Sequence, residues 1–408
     1  MKRSGAILLV LLVVVGGLMW IASDVQLFFT TTPIDELGLA PSEIHRNDKG
    51  QVIRIIANKT QVTDQLLSRL PKLRHLRYLW LAGSPVSDQA METFNRLPNL
   101  RDLFLQRTQV TGTGADHLRM LTQLERLVLS ESPVDNRGLQ AVAQLKTLKI
   151  LVLDGTRVSD AGASHLRNMS KLVDLDLSGT QVTNRAIANL SQLENLKSLS
   201  LHNTRLSETL QFPKASALRS LDLSANPALL GLTFEKLPSI QMLNLRETGI
   251  SDDTFLSRSA LQELRDLNLS ETAITGATLG ALLGSSSNLK WLNLAGSQAN
   301  DQGIQQVSQL KQLRVLLLER TLISDAAGIH LGQLASLVDL DLSQTAIGDR
   351  CLGELQTLKA LRRLTLQATE ITAERSADLK RVLPQLKIVT GAEEPKDEPT
   401  DTTHRETT

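Results

Sequence analysis

Leucines recur along most of this chain at a fixed spacing. At Leu172 the chain reads LVDLDLSGTQVTNRAIANLSQLEN, and at Leu337 it reads LVDLDLSQTAIGDRCLGELQTLKA. The shared frame is L-x-x-L-x-L-x-x-T-x-V/I-T/S-D, followed by apolar residues at helical spacing. Positions are numbered from the first residue of each copy, and copies begin at Val52, Leu76, Leu100, Leu124, Leu148, Leu172, Leu196, Leu218, Ile240, Leu264, Leu289, Leu313, Leu337 and Leu361. The steps are 24 residues almost throughout, with two of 22 and one of 25. Such a period predicts a solenoid in which each repeat packs on its neighbours.

Each copy predicts a strand followed by a helix. In L-x-x-L-x-L, positions four and six point inward, because side chains alternate along a strand, and positions three, five and seven point outward. Parallel strands need a crossover connection, which is usually a helix. Leu139, Val142 and Leu145 have the spacing of its buried side.

Polar positions inside the frame are predicted to have structural roles. Threonine occupies position nine in ten copies, where a hydroxyl can bind backbone groups of the turn. Position twelve is mostly Ser or Thr and is predicted to cap the helix. The acids that follow, such as Asp64 and Asp88, favour the helix dipole and are not predicted to form a metal or catalytic row.

This frame resembles bacterial leucine-rich-repeat proteins with repeats of about 24 residues and T-x-V-T/S-D after the strand. It is also similar to the cysteine-containing repeat class of F-box proteins, in which Cys351 of DRCLGEL would occupy the cysteine position. The other copies mostly place Gly or Ala there, so this second match is partial. The resemblance covers about residues 52–386. It implies an α/β leucine-rich-repeat solenoid, a curved horseshoe with a parallel sheet on the concave face and helices on the convex face.

The chain ends predict three further segments beside the repeat domain of residues 51–391. Residues 1–22 include an uncharged stretch, AILLVLLVVVGGLMWIA, after Lys2 and Arg3. It predicts an uncleaved signal anchor, with cleavage and secretion as the alternative, and the positive-inside tendency predicts exported repeats. A cytoplasmic repeat domain remains a further alternative. Residues 23–50 are predicted to be a linker and N-terminal cap, with a short helix between Pro33 and Arg46. Residues 392–408 are acidic and rich in Pro and Thr, which predicts a disordered tail.

Composition narrows the function. A net charge of +1 disfavours a nucleic-acid binder, which would show a basic face. The single cysteine, Cys351, excludes an internal disulfide. No cofactor and no metal site is predicted, since His117, His165 and His330 lie in non-adjacent repeats.

Three copies depart from the 24-residue length of the frame. The 22-residue copies contain Pro213 and Pro227, which interrupt the helix pattern and predict extended or 3₁₀ turns on the convex side. The 25-residue copy contains a predicted looser loop at residues 284–287. Residues 374–383 predict a longer helix that caps the last repeat.

Outward strand positions carry the residues that the frame leaves free. Aromatic side chains there are typical anchors of binding surfaces. The predicted partner-binding residues form a first apolar patch, an acidic middle and a second apolar patch: Tyr78, Trp80, Phe104, Val128, Ile150 and Val152; Asp174, Asp176 and Asp222; Trp291, Val315 and Leu317. Lateral packing between strands is the alternative for both patches, and a solvated face is the favoured interpretation of the acids.

The sequence therefore predicts a membrane-anchored, non-catalytic protein that binds a protein, or another macromolecule, through its concave sheet. A structural or self-associating cell-envelope scaffold is the alternative. The sequence predicts no enzyme, because no catalytic set is clustered.

Overall fold

The computed structural model describes residue 40 and residues 43–57, 62–190, 192–212, 217–233, 239–254, 261, 263–280 and 288–391. The predicted signal anchor, the loop at residues 284–287, Pro213 and the acidic tail lie outside these residues. Among the described residues, no helix has the length and apolar character needed to cross a membrane.

Short strands from successive repeats form one continuous sheet. Its order is β1-β2-β3-β4-β5-β6-β7-β8-β10-β12-β13-β14-β15-β16-β17-β18, and β9 and β11 form a separate pair. The strands are β1 Ile44–Arg46, β2 Val52–Ile56, β3 Tyr78–Trp80, β4 Asp102–Phe104, β5 Arg126–Val128, β6 Ile150–Val152, β7 Asp174–Asp176, β8 Ser198–Ser200, β9 Glu208–Gln211, β10 Ser220–Asp222, β11 Leu229–Thr233, β12 Met242–Asn244, β13 Asp266–Asn268, β14 Trp291–Asn293, β15 Val315–Leu317, β16 Asp339–Asp341, β17 Arg363–Thr365 and β18 Lys387–Val389. From β2 onward the neighbours in this sheet are parallel and pair residue for residue. The fold is therefore the predicted leucine-rich-repeat solenoid.

Short helices complete most repeats. They are α1 Asp64–Ser68, α2 Asp88–Met91, α3 Gly112–Leu118, α4 Asn136–Val142, α5 Asp160–Ala163, α6 Asn184–Leu190, α7 Asp301–Val307, α8 Gly328–Leu331, α9 Asp349–Leu355 and α10 Ala373–Val382, with 3₁₀ turns at Glu92–Arg96, Leu166–Asn168 and Asp325–Ala327. Leucines at positions one, four and six are almost fully buried, as are Leu139, Val142 and Leu145 between sheet and helices. Each such side chain contributes roughly 1.5–3 kcal/mol of hydrophobic stabilisation before its entropy cost.

Position nine closes the turn after each strand. The Thr108 hydroxyl donates to the carbonyl of Leu105, three residues back, and Thr156, Thr180 and Thr345 repeat this bond. Asn226 replaces the threonine in the second 22-residue copy. Its amide donates to Leu223 O of its own repeat and to Leu201 O of the preceding one. The predicted role of position nine is confirmed.

The acids at position thirteen lie in the first helical turn and also accept hydrogen bonds from the next repeat. The Asp88 carboxylate accepts hydrogen bonds from the backbone N–H and the hydroxyl of Thr111, the helix cap of the next repeat. Asp160 does the same for Thr183, and Asp301 does so for Ser324. Wherever position thirteen is Asp, its carboxylate thus ties the cap position of the next repeat to the repeat before it.

One copy without an acid at position thirteen has a steric reason for its glycine. Where position thirteen is Gly112, the next cap is Asp135, whose carboxylate accepts from its own helix at Arg137 N and Gly138 N. A Cβ on Gly112 would lie only 2.1 Å from Asp135 Oδ1. An acid at position 112 would therefore bring its carboxylate against that of Asp135. The chain instead has Gly at position thirteen and places the acid at the cap position of the next repeat.

The two 22-residue copies have strands where the other repeats have helices. Leu210 and Leu232 are buried on the paired strands β9 and β11, in the place of a helical face. The chain before Pro213 is extended at β9 and the chain after Pro227 is extended at β11, which agrees with the predicted extended turns.

The two ends of the sheet are capped differently. The N-terminal prediction of a helix between Pro33 and Arg46 is wrong for its described part, because Ile44–Arg46 is a strand that pairs antiparallel with β2. This hairpin covers the edge of the first repeat, which would otherwise expose unpaired backbone groups. At the other end, α10 agrees with the predicted longer helix, and β18 adds a further parallel strand after it.

Candidate binding surface on the open face of the sheet

Three aromatic side chains meet on the face opposite the helices. The parallel register places Trp80 of β3 beside Phe104 of β4, with Tyr78 two residues earlier on β3. The ring centroids lie 4.6 Å apart for Trp80 and Phe104 and 5.1 Å apart for Tyr78 and Phe104. We call these three residues the aromatic cluster. Such contacts hold the rings in a fixed arrangement.

Polar atoms border the aromatic cluster. The Arg54 guanidinium of β2 lies 4.3 Å from the Tyr78 ring centroid, a cation–π contact. Arg54 Nε, Trp80 Nε1 and Gln106 Oε1 are buried, and none has a hydrogen-bond partner among the described residues. An unmade bond of this kind costs about 1–3 kcal/mol. Two donors and one acceptor thus lie just beneath the surface of the sheet.

The charge at the cluster is partly desolvated. Burial raises the pKa of Tyr78 above its usual value, although Arg54 opposes this shift. Burial also raises the pKa of Asp102, which pairs with Tyr78 across the strands, against the opposing effect of Arg126. The Arg126 Nε lies 3.7 Å from the Asp102 carboxylate.

The rest of the first patch continues the same rows. Phe104, Val128 and Val152 stand side by side at position five of β4, β5 and β6, and Ile150 lies at position three of β6. Phe104 and Val152 are only 8% and 9% exposed, so neighbouring side chains cover them more than an outward position predicts. The patch therefore shows both lateral packing and accessible surface. Phe104 and Val152 pack against their neighbours, whereas Tyr78, Trp80, Val128 and Ile150 are half-buried and remain accessible.

The second patch is smaller. Trp291 and Val315 are neighbours on β14 and β15, but Leu317 faces Asn293, which is buried. The Asn293 side chain accepts a hydrogen bond from Ala295 N at 2.9 Å. The structure therefore brings Trp291 and Val315 together and separates both from the first patch by several polar strands.

The acidic middle has internal partners. Asp176 accepts from the backbone N–H and the hydroxyl of Ser178, and Asp222 accepts both bonds from Ser224 and a third from Asn244. Asp174 is buried, 7% exposed. Asp176 and Asp222 are separated by Ser200 on the intervening strand. In the described part of the chain, no group of three His, Cys, Asp or Glu side chains could hold a metal ion.

Two residues at the site are not among the predicted partner-binding residues. Arg54 belongs to the degenerate first copy, and Gln106 occupies position seven of its copy. Both lie in outward rows of the repeat frame, at positions three and seven, and the frame is the sequence signal that identifies them.

Cys351 is fully buried in α9 and lies against Gly328 of the preceding repeat. Burial, together with the nearby carboxylate of Asp325, raises the pKa of its thiol to about 12. The thiol therefore packs as a small apolar group. The specific likeness to the F-box repeat class is not confirmed.

Comparisons with known proteins agree on the fold. No family model matches the chain, and no curated protein matches it. Among solved structures, a leucine-rich-repeat protein of Leptospira interrogans is 23% identical with a TM-score of 0.60, covering 78% of this chain and 80% of that one. An internalin of Listeria monocytogenes is 20% identical with a TM-score of 0.54, covering 85% and 91%. The ectodomain of the Arabidopsis thaliana receptor kinase GASSHO1/SCHENGEN3, in complex with CASPARIAN STRIP INTEGRITY FACTOR 2, is 16% identical with a TM-score of 0.51, covering 85% and 51%.

Proposed function

We propose that this protein binds a protein partner on the open face of its sheet, without catalysis, and that the aromatic cluster is the anchor. The observation that carries the proposal is the cluster itself. Its rings are held rigid beside three buried polar atoms that have no partner among the described residues. Binding hot spots are enriched in Trp, Tyr and Arg, which are the residue types of Trp80, Tyr78 and Arg54.

We also propose that residues 1–22 hold the protein at a membrane and that the repeats are exported. The support is the uncharged stretch after Lys2 and Arg3. A solenoid held in this way would present its open face to proteins of the cell envelope. The GASSHO1/SCHENGEN3 ectodomain, solved in complex with CASPARIAN STRIP INTEGRITY FACTOR 2, is a precedent for partner binding by this fold.

The test is a Trp80→Ala variant in a pull-down from an envelope extract. The recovered partner should fall at least about tenfold, because truncating a hot-spot residue costs about 2 kcal/mol or more and about 1.4 kcal/mol is tenfold in affinity. Met120→Ala is the matched control, since Met120 is an exposed apolar side chain outside the sheet, 58% exposed. It should leave recovery unchanged. Equal recovery by both variants and by the parent, with the same melting temperature, would show that the cluster is not the anchor.

A further inference from the structure

Position two of the frame forms a straight column along the edge where the strands begin. Its backbone N–H donates to the carbonyl of position two in the preceding repeat, as in Arg219 to Lys197, Arg314 to Lys290 and Val338 to Arg314. Successive side chains of this column are therefore one strand spacing apart, about 4.8 Å. A regular backbone ladder thus fixes the spacing of whatever side chains position two carries.

Position two is mostly basic. Between β8 and β17 the column carries six cations and no acid: Lys197, Arg219, Arg265, Lys290, Arg314 and Arg362, with Gln241 and Val338 between them. Toward the N-terminus the column is neutralised, because Glu125 lies 2.7 Å from Lys149 and 3.9 Å from Arg101. The net charge of +1 for the whole chain does not show this difference between the two parts of the column.

A groove interrupts the column in the last four repeats. Val338 is shorter than the basic residues on either side, and the gap opens a cavity of about 700 Å³. In the described part of the chain the groove is lined by Lys290, Arg314 and Arg362, by the polar residues Gln312 and Ser336, and by three small apolar side chains, and no carboxylate lines it. The nearest acids on the sheet belong to position three, where Asp266 stands beside Lys290, and Asp339 lies 3.8 Å from Arg363.

The groove borders the second apolar patch. Lys290 and Arg314 directly precede Trp291 and Val315, the two residues that the sheet brings together there. If an apolar residue of a peptide ligand lay on Trp291 and Val315, the side chains one or two residues away in that peptide would reach Lys290 and Arg314. The chemistry that fits is an apolar residue flanked by carboxylates.

We propose that this groove and Trp291 bind an extended acidic segment of a separate protein. Its carboxylates lie on Lys290, Arg314 and Arg362, and an apolar residue between them lies on Trp291 and Val315. Arginine pairs well with carboxylates, and an extended chain presents alternate side chains to the surface on which it lies. Single-stranded nucleic acid fits less well, because successive bases need several aromatic platforms and Trp291 is the one aromatic residue on strands β13 to β17.

The probe is a fluorescein-labelled seven-residue peptide with one Phe flanked on each side by Glu-Ala-Glu, and its counterpart is the same peptide with Gln in place of each Glu. Fluorescence anisotropy on the full chain in detergent micelles at low salt should give at least about tenfold tighter binding for the Glu peptide, since charge pairs in a groove contribute more than about 1.4 kcal/mol. The advantage should shrink as salt is raised.

The groove variant is Lys290→Glu with Arg314→Glu, because Arg362 also donates to the carbonyls of Lys359 and Leu361. Its matched control is Lys197→Glu with Arg219→Glu, two exposed cations of the same column outside the groove, with the same charge change. The groove variant should lose at least about tenfold in affinity and the control less than about threefold. Trp291→Ala should weaken binding by a similar factor.

Three results would overturn the proposal. The first is equal loss in the groove variant and the control, which would indicate non-specific charge. The second is tighter binding of single-stranded RNA of equal length to the same residues. The third is binding of the Glu peptide only by a chain that ends at Gly391, which would make the chain's own residues 392–408 the occupant. None of these results depends on Trp80, so failure here is separable from failure of the proposed function.

Discussion

Position five of the sheet is filled in two contrasting ways. In β3 and β4 it holds Trp80 and Phe104, which stack on each other and leave polar atoms unsatisfied at their border. In β7 and β10 it holds Asp176 and Asp222, which satisfy the backbone and the hydroxyl two residues later. The same backbone position therefore carries the proposed anchor in one region and the hydrogen-bond acceptor of the turn in the other. The sequence favours a solvated face for these acids, and the structure shows that Asp176 and Asp222 accept hydrogen bonds from Ser178 and Ser224 of their own turns.

The largest expected effect on stability tests the central region. Asp222→Ala removes the acceptor for Ser224 N, Ser224 Oγ and Asn244 Nδ2, and it leaves buried Ser224 without its acceptor. The free energy of unfolding in urea should fall by about 1–3 kcal/mol.

Asp222→Asn is the matched control, because it keeps one acceptor oxygen and should recover most of the loss. Partner recovery should be unchanged in both variants. A stable Asp222→Ala variant that loses its partner would reverse the assignment of the two regions.

Position eight, three residues after position five, allows a second comparison of the same two regions. Gly83 follows β3 with φ of 68°, and Ala225 follows β10 with φ of 55°. The left-handed region is costly for residues with a Cβ, by about 1–2 kcal/mol. A Cβ at Gly83 would meet no atom within 4 Å, so the cost there is conformational alone.

Gly83→Ala should therefore lower the free energy of unfolding by about 1 kcal/mol, and Ala225→Gly should raise it by up to about 1 kcal/mol. Denaturant titration of both variants measures the pair. Changes of the same sign would show that position eight is not strained alike in the two regions.

The smallest expected effect concerns Asp102 beside the aromatic cluster. Burial raises the pKa of this carboxyl in the folded state above its unfolded value of about 3.9. The folded state therefore holds the proton more tightly, and this contribution to stability is complete below the unfolded pKa and disappears as pH rises through the folded pKa.

Asp102→Asn removes this contribution. The melting temperature of the parent relative to Asp102→Asn should fall as pH increases from about 3 to about 7. A relative increase would mean that the ion pair with Arg126 outweighs burial.

The sequence predicts the repeated parts of this fold well, because the leucine spacing alone determines which side chains are buried. It also predicts position nine and most helix caps, such as Thr111, from hydroxyl chemistry. It missed the bonds from position thirteen to the next cap, since the partners of Asp88 lie 23 residues away and only stacking brings them together. Ser159 shows the same limit: its hydroxyl bonds Asn136 of the preceding repeat and makes no cap bond in its own helix.

The candidate site was predicted only in part. Tyr78, Trp80 and Trp291 could be predicted because aromatic residues are rare in this chain. Their neighbours Arg54 and Gln106 have ordinary composition, and only the register between strands places them at the cluster. The hairpin of β1 could not be predicted from a mixed, polar segment, because its strand is stabilised by pairing with β2 and has no apolar alternation of its own.

Site-specific photo-crosslinking in cells tests most directly whether the aromatic end of the sheet is the binding surface. A photoreactive benzophenone amino acid replaces Trp80 in one variant. In the other variant it replaces His202, an exposed residue that follows the central strand β8. Irradiation should give a discrete protein adduct from position 80 and little or none from position 202. Equal adducts from both positions, or an adduct from position 202 alone, would contradict the account.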